Sequence, residues 1–160
     1  MRGRTFSGGM AFTAQSAIFD AFELIAPAAG LVALKSIQLG QSTLLTDANE
    51  FICQITFHRF TGTYTTGSGG ETPAMAALHQ DGVASSSTLK ARNDTVAVVG
   101  TGAIEVVGYD AWNLRGGYLY LPPEEDRIIA APTDAIIVTV SDPGTSVVVG
   151  GTIVWEEIGT

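Results

Sequence analysis

The sequence predicts an all-β chain, an antiparallel β-sandwich or barrel of about eight strands. Three observations lead there. Apolar residues alternate with period two along successive runs. β-Branched and aromatic residues crowd those runs, and Pro, Gly and Asp punctuate them. The runs after Leu114 are short and joined by brief turns, which favours a sandwich or barrel over alternating strands and helices.

Strands are expected over 18–26 and 31–39, separated by the reversal Pro27-Ala28-Ala29-Gly30. In 51–58 one face reads Phe51, Cys53, Ile55, Phe57 and the other Ile52, Gln54, Thr56, His58. Such alternation puts one face in a core and the other toward solvent or a partner. Further strands are expected over 96–109, 117–121, 127–130 and 135–141. In the last of these, Ile136, Val138 and Val140 oppose Ile137, Thr139 and Ser141. A final strand covers 147–158, rich in Val and carrying Trp155. The turns between these late strands contain Pro122-Pro123, Pro132 and Asp142-Pro143-Gly144, residues that fix or tolerate turn dihedrals. Residues 61–95 differ. Dominated by Gly, Ser, Thr and Ala, they are expected to form a long loop with a short helical turn over 73–79. The domain division is an N-terminal arm and first strand over 1–16, then one sandwich domain over 17–160.

The chain has 160 residues, 46% hydrophobic and 15% charged, with 8 basic and 16 acidic residues and a net charge of −8. Its mean hydropathy is +0.28. That apolar content argues against disorder, and the acidic balance argues against nucleic acid as a partner. No apolar run approaches the roughly 20 residues that span a bilayer, so no membrane partner is expected. Nor does an apolar run of signal-peptide length follow Arg2 and Arg4, so a soluble, unsecreted protein is expected. Cys53 is the single cysteine, which excludes an internal disulfide and a thiolate metal cage.

Residues of the types used in catalysis are present without the spacing that catalysis needs. His58 and His79 lack a recognisable serine or cysteine partner, and Gly67-Ser68-Gly69 does not form a nucleophile elbow. Glu156 and Glu157 are adjacent on a strand and point to opposite sides, so they cannot act as a carboxylate pair. Glu124, Glu125 and Asp126 are expected to be a solvated acidic turn, since they lack the alternating ligands of a calcium loop. No catalytic residue, metal ligand or cofactor is therefore assigned. What the surface positions do show is a shortage of charge. Ile52, Ile137 and Val154 fall on the less apolar sides of their strands, with Gln54 and His58 beside Ile52, and these five are the candidates for self-association.

Several segments resemble small bacteriophage-encoded proteins. They are Phe19-Asp20-Ala21-Phe22-Glu23-Leu24-Ile25-Ala26-Pro27, Ile55-Thr56-Phe57-His58-Arg59 leading into Gly67-Ser68-Gly69-Gly70-Glu71, Asp110-Ala111-Trp112-Asn113-Leu114-Arg115, and Gly151-Thr152-Ile153-Val154-Trp155-Glu156-Glu157-Ile158. The resemblance runs over most of the chain from Phe19 onward. It implies a head decoration, or cement, protein with a jelly-roll fold. Such a protein would be a homotrimer that bridges major capsid protein subunits on the outer capsid surface of the virion, after assembly in the bacterial host cytoplasm. Proteins of that kind grip the capsid with an N-terminal arm, which implies residues 1–9 here. Arg2 and Arg4 would then pair with acidic capsid groups, while Phe6 and Phe12 anchor apolar contacts. The alternative is a trimeric phage receptor-binding or carbohydrate-binding jelly roll, with Tyr64, Trp112, Tyr118 and Tyr120 as the glycan contacts.

Overall fold

The computed structural model describes residues 3–45, 51–79, 83–99 and 102–159. Arg2, one of the proposed capsid contacts, lies outside them. The described residues contain thirteen strands: β1 (Arg4–Gln15), β2 (Phe19–Ile25), β3 (Leu31–Gln41), β4 (Ile52–Thr61), β5 (Tyr64–Thr65), β6 (Met75–Ala77), β7 (Thr88–Asn93), β8 (Val98–Val99), β9 (Ala103–Asn113), β10 (Tyr118–Tyr120), β11 (Ile129–Ala130), β12 (Ala135–Val140) and β13 (Val147–Ile158). The only helix among those residues is a single 3-10 turn, Glu124–Asp126, with all three side chains in solvent.

Two antiparallel sheets face each other. Sheet I has the order β10-β3-β13-β1-β6, with β11 also paired to β3. Sheet II has the order β7-β2-β12-β4-β9, and β5 and β8 form a separate two-stranded ribbon. Between the sheets lies one core in which Phe6, Met10, Ile37, Leu39 and Trp155 of sheet I meet Phe22, Leu24, Ile55, Ile136 and Trp112 of sheet II. Every residue of β12 is buried, because this central strand is covered on both faces. Ile136, Val138 and Val140 point into the main core, as the alternation predicts. Ala135 and Ile137 point the other way, into a second cluster with Phe60 and Ala97, flanked by Ile25 and Tyr64.

The expected count of about eight strands is corrected, since short pairings at the sheet edges and within 61–95 raise it. That span is not one loop. It contains β5, β6 and β7, and β7 is a full edge strand of sheet II. The helical turn expected over 73–79 is replaced by β6, whose Met75, Ala76 and Ala77 pair with Gly8, Ser7 and Phe6 of β1. Helix propensity in so short a stretch yields to the hydrogen bonds that an open strand offers. Nor is the N-terminus a free arm from residue 4 onward. β1 lies between β13 and β6, paired with β13 from Arg4↔Glu157 to Gln15↔Val147.

Candidate interaction surface

The outer face of sheet II divides into two halves. One is covered by the chain itself. Tyr64 packs on Phe60 with ring centroids 5.1 Å apart, Ala97 joins the second cluster, and Ser68 and Thr95 exchange backbone hydrogen bonds above it. Two carboxylates beneath this cover are fully buried. Asp20 accepts from the Ala97 N–H at 2.7 Å and from Thr139 Oγ1 at 2.7 Å. Glu23 accepts at Oε2 from the Gly67 N–H at 3.0 Å and from Asn93 Nδ2 at 2.9 Å, while its Oε1 has no partner among the described residues. Burial raises both carboxyls above their ordinary values and outweighs the opposing hydrogen bonds. A register slip between Val138 and Thr139 leaves Ala21 unpaired with β12 and turns Asp20 and Glu23 to one face, although they stand three residues apart.

The other half is open. Here β4 presents Ile52, Gln54, Thr56 and His58, and β9 beside them presents Ile104, Val106, Tyr109 and Ala111. Ile52 is 60% exposed and Tyr109 66%. A shallow cavity of about 540 Å³ lies between them, lined also by Cys53, Gln54, Asp110, Ala111 and Ser141. No formal charge stands on these eight strand positions, since Arg59 and Glu105 pair with each other on the opposite side of the same strands. His58 is half-buried, its Nδ1 has no partner, and burial holds the imidazole below its ordinary range, so it adds no charge at neutral pH. β9 is also the edge of sheet II, with every residue but Gly108 and Trp112 exposed. Ile104, Val106 and Val107 in one exposed edge strand combine free backbone groups with apolar side chains, a combination that templates pairing with another chain.

The outer face of sheet I carries a second feature. A bulge between Met10 and Thr13 lifts Phe12 out of register and lays its ring over Gly150. Phe12 is 58% exposed and walls a groove of about 460 Å³ with Met10, Gln38, Gly40 and Thr152. The Ala11 N–H donates to Glu71 Oε1 at 2.8 Å, which ties the bulge to the segment after Gly70.

The residues singled out from sequence therefore separate. Of the self-association set, Ile52, Gln54 and His58 come together on the open half of sheet II. Ile137 does not join them, being 1% exposed beneath the chain's own cover. Val154 is half-buried on sheet I, remote from the others. Of the capsid-contact set, Phe12 is exposed and Arg4 is half-buried in β1. Phe6 is corrected from a surface anchor to a core residue, 1% exposed and stacked on Trp155 with centroids 6.0 Å apart.

Of the glycan-contact set, Trp112 and Tyr118 are corrected to buried residues, while Tyr64 and Tyr120 are half-buried. Trp112 is buried with Nε1 donating to the Gly116 carbonyl at 2.9 Å, and Tyr118 is buried with its hydroxyl donating to Asp110 at 2.9 Å. Tyr120 packs on Phe57, and Tyr64 on Phe60. The tyrosine in solvent is Tyr109, whose exposure comes from β9 being a sheet edge, a placement that alternation within 96–109 does not record. Among the described residues no three His, Cys, Asp or Glu side chains are placed to hold a metal ion. No family model, curated protein or solved structure matches the chain.

Proposed function

We propose that this chain is a structural virion protein that self-associates, as a homotrimer, and stabilises a phage capsid by bridging major capsid protein subunits. The observation that carries the proposal is the open half of sheet II, whose eight outward strand positions carry no formal charge on a chain of net charge −8 and which an apolar edge strand borders, with Asp110 the one carboxylate at its cavity. Copies that repel through their acidic surfaces can approach closely where that charge is missing. The strand orders β1-β13-β3-β10 and β2-β12-β4-β9 support reading the sandwich as a jelly roll, and the resemblance to phage decoration proteins agrees with that reading. Phe12, raised on its bulge on the opposite sheet, is the residue best placed to contact the capsid. The carbohydrate-binding alternative has less support, because Trp112 and Tyr118 are buried and Tyr64 and Tyr120 are half-buried against Phe60 and Phe57.

The mass of the purified protein in solution tests self-association, and co-sedimentation with undecorated capsids tests the capsid role. Tyr109→Asp should convert the oligomer to a monomer at a cost of less than about 0.5 kcal/mol in protomer stability, since the position is exposed. A native protein that sediments as a monomer and stays in the supernatant when capsids are pelleted would refute the proposal.

A further inference from the structure

We infer that segments 62–72 and 93–97 form a cover over the outer face of sheet II that closes more tightly in acid and loosens as pH rises, with Asp20 and Glu23 as its sensors. The inference concerns the chain's own opening equilibrium and stands apart from the capsid reading.

The geometry is that of a latch set on two carboxylates. The first segment donates the Gly67 N–H to Glu23, and the second donates the Ala97 N–H to Asp20 and Asn93 Nδ2 to Glu23. Both carboxylates are at zero exposure in the closed form, and lifting the segments returns them to water. Closure thus asks two carboxylates, neighbours on one strand, to give up solvent, and leaves Glu23 Oε1 without any hydrogen bond among the described residues. A buried charge with an unmatched oxygen is costly, whereas a neutral carboxyl is not. The hydrophobic contacts of Tyr64 and Ala97 with Phe60, Ala135 and Ile137 work in the other direction and hold the cover down.

The sign follows from proton uptake. Burial raises both carboxyls in the closed form, while the open form has ordinary values near 3.8 for Asp and 4.5 for Glu. Between the ordinary and the raised values the closed form binds more protons, so falling pH drives closure and rising pH weakens it. Below the ordinary values both forms are protonated and the effect is complete.

The groups around the pair do not reverse this. Lys90 stands opposite Glu23 on β7 and favours its charged form, but its Nζ is engaged by Thr66 Oγ1 at 2.7 Å and the Gly67 carbonyl at 3.3 Å. Asp20 raises Glu23 further, and the Tyr64 phenol, itself pushed up by burial and by Glu23 and Asp134, stays neutral. His58 lies across Ile137 from Glu23 on the open half of the face, and burial keeps its imidazole neutral, so it adds no charge beside the pair.

Amide hydrogen exchange on the full chain tests the inference. After correction for intrinsic rates, protection at Gly67 and Ala97 should rise as the pH falls from about 8 to about 4. The rise should exceed that at Leu34, whose amide donates to Ile128 within sheet I and reports global stability. In the double variant D20N/E23Q the two amides should stay protected with no pH trend beyond that of Leu34. Should that variant fail to fold, E23Q alone should reduce the trend at Gly67 and preserve it at Ala97. Protection at Gly67 and Ala97 that follows Leu34 at every pH, falls in acid, or keeps its slope in the variants would overturn the inference.

Discussion

Replacing Phe6 by alanine separates a detachable arm from a structural strand. In the folded chain the Phe6 ring is 1% exposed, stacked on Trp155 at 6.0 Å, and its strand is paired on both sides, with Trp155 and Ala77 directly opposite it. Removing a buried phenyl ring leaves a cavity between the sheets, and Phe→Ala changes in such settings cost about 3–5 kcal/mol. A domain of this size has about 5–15 kcal/mol in total, so the variant should lose at least about a fifth of its stability. Each kcal/mol lowers the melting temperature of a domain this large by roughly 2–4 °C, so a drop of about 10 °C is expected. Urea unfolding followed by tryptophan fluorescence gives the free energy directly, because buried Trp155 reports on the same contact. The companion change Phe12→Ala, at an exposed ring, should cost less than about 1 kcal/mol. Should F6A unfold within about 1 kcal/mol of the native chain while weakening attachment to a capsid, the strand assignment would be wrong and the arm restored. Deletion of residues 1–9 is expected to abolish folding, since it removes half of β1 and bares the β13 edge.

Four further outcomes follow from the same packing. Glu157, 1% exposed, is pushed up by burial, but hydrogen bonds from the Ser85 and Ser87 hydroxyls and the Ser86 and Ser87 amides together outweigh this and leave it below its ordinary value. The stability it contributes is therefore complete above pH 4.5 and lost as pH falls through its lower native value; E157A should cost about 3 kcal/mol in urea titrations at neutral pH and less in acid. The Cys53 thiol is buried and pushed up to about 11, chiefly by desolvation, so a thiol reagent at neutral pH should label it only after unfolding. A methyl group added at Gly70 would sit 2.1 Å from the Ala91 carbonyl oxygen, fixed backbone of β7, and G70A should cost about 1–3 kcal/mol by thermal melting. At Gly150 the obstacle is the exposed Phe12 ring at 2.6 Å, which can rotate away, so G150A should cost less than about 1 kcal/mol.

Much of the architecture was legible because strands with one covered face write a period of two into the sequence. The opposition of Ile136, Val138 and Val140 to Ile137 and Thr139 is found in β12 as predicted. Phe51-Ile52-Cys53-Gln54-Ile55 likewise places Cys53 and Ile55 inside and Ile52 and Gln54 outside. Alternation states which residues share a face but not what lies over that face. Ile52 and Ile137 have the same local signature, and one is in solvent while the other lies under Tyr64 and Ala97. For the same reason Tyr118 and Trp112 passed for surface aromatics, their polar atoms being satisfied by Asp110 and the Gly116 carbonyl within the fold.

Composition and periodicity by themselves determined the chemistry class of this protein: an all-β chain, poor in charge, with acidic residues outnumbering basic ones two to one. Those are local or summed properties, and they survive whatever the partners in space turn out to be. Tertiary structure alone decided that residues 4–15 are an interior strand of a sheet, that the segment after β4 folds back over sheet II, and that β9 is left as an open edge. Each of these depends on pairings between residues far apart in the chain, such as Arg4 with Glu157 or Asp20 with Ala97. The free energy of such pairings comes from water excluded by both partners, so neither partner's own neighbourhood in the sequence records it.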